Sequence, residues 1–105
     1  VLPVVTELVR AGAVVSVDTT RAEVAAAAVE AGAVLVNDVS GGLADPAMAG
    51  VVAATGVVYV AMHWRGHADV MDALATYDDV VTEVRNELAL RLEDLVAAGV
   101  RPEQV

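Results

Sequence analysis

Cysteine, lysine and phenylalanine are absent from this sequence, and tryptophan occurs once. Without cysteine there is no disulfide framework and no thiolate metal site, which is compatible with a reducing cytoplasm. Basic residues are scarce: six face 15 acidic ones, for a net charge of −9. An acidic surface repels phosphate backbones, so nucleic acid is not an expected partner. No basic cluster invites an anionic membrane either. A basic segment leading into an apolar core, the mark of a signal peptide, is not seen. The glycines form neither a dinucleotide fingerprint nor a P-loop. No Ser or Thr sits in a nucleophile elbow.

One apolar run, Pro46 to Trp64, contains no acidic or basic side chain apart from His63 and approaches the length of a membrane span. Pro46, Gly50, Thr55 and Gly56 punctuate it. It is therefore expected to be a short helix, a glycine stop and a buried strand, with no membrane crossing.

What is abundant is Ala and Val, which carry most of a 57% hydrophobic composition in 105 residues and 10.7 kDa. A disordered segment would be far poorer in apolar residues. The length suits one small domain or part of a larger one. Four times an apparent helix ends at a glycine and an apolar run follows: at Gly12, Gly32, Gly56 and Gly99. Glycine is the usual residue just past a helix end, where φ is positive. The runs that follow are short and Val-rich, which favours strands.

The pattern predicts a helix over Leu2 to Arg10 and a strand over Val14 to Asp18. A second helix starts at Thr20, which forms a capping-box pattern with Glu23, and runs to about Ala31. A second strand covers Val34 to Asn37. Asp45 and Pro46 give an N-cap followed by proline at the first helical position, and that helix ends near Ala54. The third strand is Val57 to Met62. A loop from Trp64 to about Thr76 leads to the longest helix. Its apolar stripe is Tyr77, Val81, Val84, Leu88, Leu92 and Leu95. Glu83, Glu87, Arg91 and Asp94 are placed on its wet side, with Glu87 and Arg91 paired.

Alternating helices and apolar strands imply a parallel sheet covered by helices. Three strands and four helices leave sheet edges open. A complete (β/α)8 barrel needs about 250 residues, so a fragment of a larger α/β fold is expected. Periodicity alone leaves barrel and open sheet both possible.

Each strand ends in polar groups: Asp18-Thr19, Asn37-Asp38 and Met62-His63. Both α/β architectures bind ligands at the C-terminal ends of parallel strands. Three such ends in succession suggest one binding face. Asp18 could equally be a helix cap, and Asn37 and Asp38 turn residues before Gly41-Gly42. His63 is expected to be packed and hydrogen-bonded, not a metal ligand. His63 and His67 have i,i+4 spacing, but Gly66 argues against a helix there, so no zinc site is expected.

Ser16-Val17-Asp18-Thr19, then Ala31-Gly32-Ala33, then Asn37-Asp38-Val39-Ser40-Gly41-Gly42, then Met62-His63-Trp64-Arg65-Gly66 resemble the dihydropteroate synthase family of pterin-binding enzymes. Tyr77-Asp78-Asp79 opening a long helix that ends at Ala98-Gly99-Val100 fits the same pattern. The resemblance covers essentially the whole chain. It implies an α/β fold, a partial (β/α)8 TIM barrel with strands three to five, residues 1–105 being a central fragment of one barrel domain with no second domain. The implied function is folate biosynthesis by a transferase of the 2.5.1 class. p-Aminobenzoate condenses with 7,8-dihydropterin-6-ylmethyl diphosphate to give 7,8-dihydropteroate and diphosphate, with Mg2+ assisting the leaving group. Sulfonamides compete with p-aminobenzoate in this family.

By position, Asp18 and Asn37 match pterin-pocket residues, with Asp18 also catalytic, and Val39 and Met62 match apolar pocket walls. Arg65 is expected to be a loop residue, not a diphosphate ligand. The pattern also departs from the family. The metal-binding Asn, the loop after the second strand, the Asp-Pro-Gly motif and the later Lys, Arg and His are all missing, so the Mg2+ ligands lie outside this sequence. The 105 residues alone are expected to be inactive. The implied parent is a cytoplasmic homodimer with small-molecule substrates. Two alternatives remain: a pterin-dependent methyltransferase, and a degenerate pterin-binding paralogue without activity.

Overall fold

The computed structural model describes residues 1–105. Its elements alternate as expected: α1 (Leu2–Arg10), β1 (Ser16–Asp18), α2 (Ala22–Glu30), β2 (Leu35–Asp38), α3 (Met48–Thr55), β3 (Val58–Ala61), α4 (Met71–Leu74) and α5 (Val80–Ala97), followed by a 3-10 turn at Pro102–Gln104. There are thus five helices, not four. The extra one is a single helical turn inside the segment expected to be all loop.

The strands are parallel in the order β1-β2-β3. Asp18 pairs with Asn37, and Asn37 with Val60. The four glycines expected to stop helices all have positive φ, from 69° at Gly56 to 104° at Gly32.

One face of the sheet is covered. Val17, Val36, Asp38 and Tyr59 are buried on it. Val17, Val36 and Tyr59 pack with Val5 of α1, Ala22, Ala25 and Ala28 of α2, Met48 and Val52 of α3, and Leu95 of α5. The Ala spacing in α2 puts small side chains on one stripe, so the helix lies close to the strands. The other face, which carries Ser16, Asp18, Leu35, Asn37, Val58 and Val60, has no helix over it. Helices on one face only are what a barrel wall requires, whereas a doubly wound sheet is covered on both. The uncovered apolar side chains explain why the strands showed no alternation of polarity.

Three local expectations are corrected. The capping box of Thr20 and Glu23 does not form. α2 begins at Ala22, whose N–H donates to Asp45 Oδ2 at 2.7 Å. The same carboxylate accepts from Ala47 N at 3.0 Å, and these two bonds, Ala22 first, hold the Asp45 pKa below the usual carboxylate range. α3 therefore starts at Met48, two residues beyond Pro46.

Helix α5 is rotated from its expected orientation, so that both of its faces are partly covered. Of its apolar stripe only Leu95 is buried, and Val81 is 74% exposed. Glu83, Glu87 and Arg91, expected on the wet side, are half-buried, as are Val84 and Leu88 of the stripe. Glu87 bonds to Arg65 and His63, and Arg91 pairs with Asp94, so the expected Glu87–Arg91 pair is absent. The reason is tertiary. The segment before α5 brings an arginine, and a guanidinium within reach outcompetes an exposed i,i+4 pair of small worth. The end of α5 is tied down by Gln104, whose buried Nε2 donates to Val52 O and Val57 O at 3.0 and 3.1 Å.

Candidate functional site

The C-terminal ends of β1 and β2 bring Asp18 and Asn37 together. They are register partners on the uncovered face, and Asn37 Nδ2 donates to Asp18 Oδ2 at 2.7 Å. Asp18 is exposed and Asn37 half-buried. Neither is a cap: the helix after β1 is capped by Asp45, and Thr19 Oγ1 accepts from Arg21 N. The pair therefore presents a carboxylate and a carboxamide carbonyl side by side with lone pairs still to fill. A carboxylate accepts from ring N–H and amino groups, and a carboxamide offers both donor and acceptor.

The next residue on β2, Asp38, points the other way and is fully buried. Its carboxylate accepts from Ser40 N (2.8 Å), Ser40 Oγ (2.7 Å), Gly42 N (2.9 Å) and the Tyr59 hydroxyl (2.7 Å). Burial first, and then the bond to Asp38, push the Tyr59 phenol well above its ordinary pKa. Asp38 thus folds the Gly41-Gly42 turn back onto the strand ends, the turn role foreseen for it. Its backbone carbonyl also accepts from Met62 N at 3.3 Å. Gly41 has φ +60°, and a Cβ there would stand 2.9 Å from the Met62 carbonyl oxygen. The turn and the end of β3 are therefore in direct backbone contact, which only glycine permits.

Val39 and Met62 line one cavity of about 420 Å³, together with the β3–α5 loop residues His63, Trp64, Arg65 and Tyr77. The loop is anchored by hydrogen bonds and by the Arg65 ion pairs. His63 Nε2 lies 2.6 Å from Glu87 Oε2, so His63 is hydrogen-bonded, as expected. Arg65 reaches Glu87 Oε1 and Oε2 at 2.5 and 3.1 Å and Glu83 Oε2 at 2.9 Å. It also donates to the carbonyls of Thr76 and Leu74 and lies 4.0 Å above the Tyr77 ring. Arg65, then His63, hold the Glu87 pKa down at about 2. Sequence patterning missed this network because its partners are 18 to 24 residues apart. The one available hint was a lone arginine before two glutamates spaced i,i+4.

A larger depression of about 660 Å³ runs along the exposed side of α5, past Val80, Val84 and Leu88. It contains one charged residue, Arg85, and nothing to orient a polar heterocycle, so it is not the candidate site. Nowhere do three His, Asp or Glu side chains converge to hold a metal ion. The residues present do not fit Mg2+ by themselves. No helix is long and apolar enough to cross a membrane.

Residues 1–105 match the family described as pterin binding enzyme. A dihydropteroate synthase of Mycobacterium leprae is 54% identical over 103 residues, which is 97% of this chain and 36% of that protein. The Yersinia pestis dihydropteroate synthase, solved as a sulfonamide drug complex, superposes with a TM-score of 0.92 at 32% identity over 99% of this chain and 38% of its own. The Xanthomonas albilineans synthase, solved with 7,8-dihydropteroate, gives 0.86 at 36% identity over 99% of this chain and 37% of its own. The chain thus spans little more than a third of the length of these relatives.

Proposed function

From the premise that this chain belongs to the pterin-binding enzyme family, we propose that it is the central segment of a dihydropteroate synthase barrel domain and supplies half of the pterin pocket. The observation that carries this reading is the Asp18–Asn37 pair on the uncovered face of adjacent parallel strands. The amino-pyrimidinone edge of a pterin alternates donors and acceptors. Asp18 accepts from its N–H groups, and Asn37 matches a donor and an acceptor together. Val39 and Met62 give the ring an apolar wall.

The reaction joins the amine of p-aminobenzoate to the exocyclic methylene of the pterin diphosphate. A C–N bond forms, the C–O bond breaks, diphosphate leaves with the electron pair and the amine nitrogen loses a proton. As the C–O bond lengthens, positive charge spreads from the methylene into the ring. The fixed Asp18 carboxylate stabilises that charge, and Asn37 holds the carboxylate in place beforehand. Any Mg2+ that would neutralise the departing diphosphate would take its ligands from outside these residues. The complete enzyme is a cytoplasmic homodimer acting on small molecules.

The test is steady-state kinetics of the complete polypeptide carrying this segment. Asn37→Ala raises KM for the pterin diphosphate by about 10- to 100-fold, the loss of one or two well-placed hydrogen bonds. Asp18→Ala lowers kcat by about 100-fold or more. Both variants turning over at the native rate and KM would remove the pair from the pocket. Methyl transfer in place of pteroate formation would instead identify a methyltransferase.

A further inference from the structure

The pterin wall formed by Met62 has one secure end. Its N–H is tied to Asp38 O, and its carbonyl is backed by Gly41. The chain then leaves the sheet and runs to α5 with only the four-residue α4 as regular structure. Every side-chain hydrogen bond from residues 62–77 to α5 passes through His63 or Arg65 to Glu83 or Glu87. Arg65 carries three of the four. Without it, Glu83 and Glu87 face each other across one helical turn as like charges.

We propose that Arg65 is a positioning residue for pterin binding: by engaging Glu83, Glu87 and the Thr76 carbonyl it fixes the far end of the β3–α5 loop, and so holds Met62 against the ring. Three features argue that this is more than a surface ion pair. The guanidinium is engaged on all three nitrogens and stacked on Tyr77. The carboxylates that hold it project from a helix that leaves Val80, Val81, Leu92 and Val96 exposed to solvent. The cavity behind the loop is lined jointly by Arg65 and by the wall residues Val39 and Met62. Arg65 itself has no group free for substrate, so its effect is transmitted through the loop. A small displacement of a wall is enough to alter substrate affinity.

This inference rests on the pterin reading above, and the experiment separates the two. Arg65→Ala and Arg65→Lys are made in the complete polypeptide that carries this segment, with Asn37→Ala beside them. Lysine keeps the charge and the stem but cannot reproduce the planar fork. Expected is a rise in KM for the pterin diphosphate of about tenfold in Arg65→Lys and more in Arg65→Ala, with KM for p-aminobenzoate changed by less than about twofold. A merely structural clamp would lower the melting temperature and leave the pterin KM alone. If Arg65→Ala does not fold, Arg65→Lys decides on the same readout. Native pterin KM in Arg65→Lys, with Asn37→Ala impaired, overturns this inference alone. Native pterin KM in both overturns the pocket reading as well.

Discussion

Replacing Asp38 by alanine gives the sharpest test of how the strand ends are built. The carboxylate is fully buried and accepts four hydrogen bonds, from two backbone N–H groups and two hydroxyls. Truncation leaves four donors unpaired. A buried group left without its partner costs about 1–3 kcal/mol. The Ser40 hydroxyl can rotate to another acceptor and water can enter the vacated space, so the four do not add fully. The expected loss is about 3–5 kcal/mol, a fifth or more of the roughly 5–15 kcal/mol that holds an ordinary domain together. Tyr59→Phe removes one donor and leaves the carboxylate three, for about 1–2 kcal/mol. In the double variant the Tyr59 hydroxyl is no longer stranded, so the losses fall short of additivity by about 1 kcal/mol. Equilibrium urea unfolding of the four proteins measures this cycle. A loss under about 1 kcal/mol in Asp38→Ala, or strict additivity, would refute the claim that Asp38 organises the turn.

Two further outcomes follow from the same contacts. Gly41→Ala forces a side chain into positive φ and into the Met62 carbonyl, so it should displace the Met62 wall and weaken pterin binding, read by titration calorimetry; unchanged heats would show that the turn yields freely. The Glu87 pKa is depressed by Arg65, so its contribution to stability is present above the ordinary glutamate pKa and lost as pH falls towards about 2. Emission from Trp64, which sits in the same loop, should report the release of Glu87 from Arg65 across that acid window. The transition should move to higher pH in Arg65→Ala, and an unmoved transition would break the assignment.

Much of the fold was legible because its signals are local. Glycine past a helix end demands a positive φ, and a short Val-rich run cannot make a helix, so the three strands and the long helices fell close to their expected places. The acid and amide at successive strand ends were legible too, because parallel in-register strands carry equivalent positions to one edge. What could not be read was any choice between partners distant along the chain. Thr20 and Glu23 form a good capping pattern, yet Asp45 caps α2 from 23 residues away.

The same limit explains α5, whose composition shows two faces but not how much of each turns inward. Amino-acid order settled the βα alternation, the helix stops and the residue types at the strand ends, since backbone sterics and side-chain period act over a few residues. Three-dimensional packing settled which face of the sheet stays open, which carboxylates meet Arg65 and which side chains line a cavity with Met62. Hydrogen bonds and ion pairs choose among all groups within reach, and reach is a property of the folded chain.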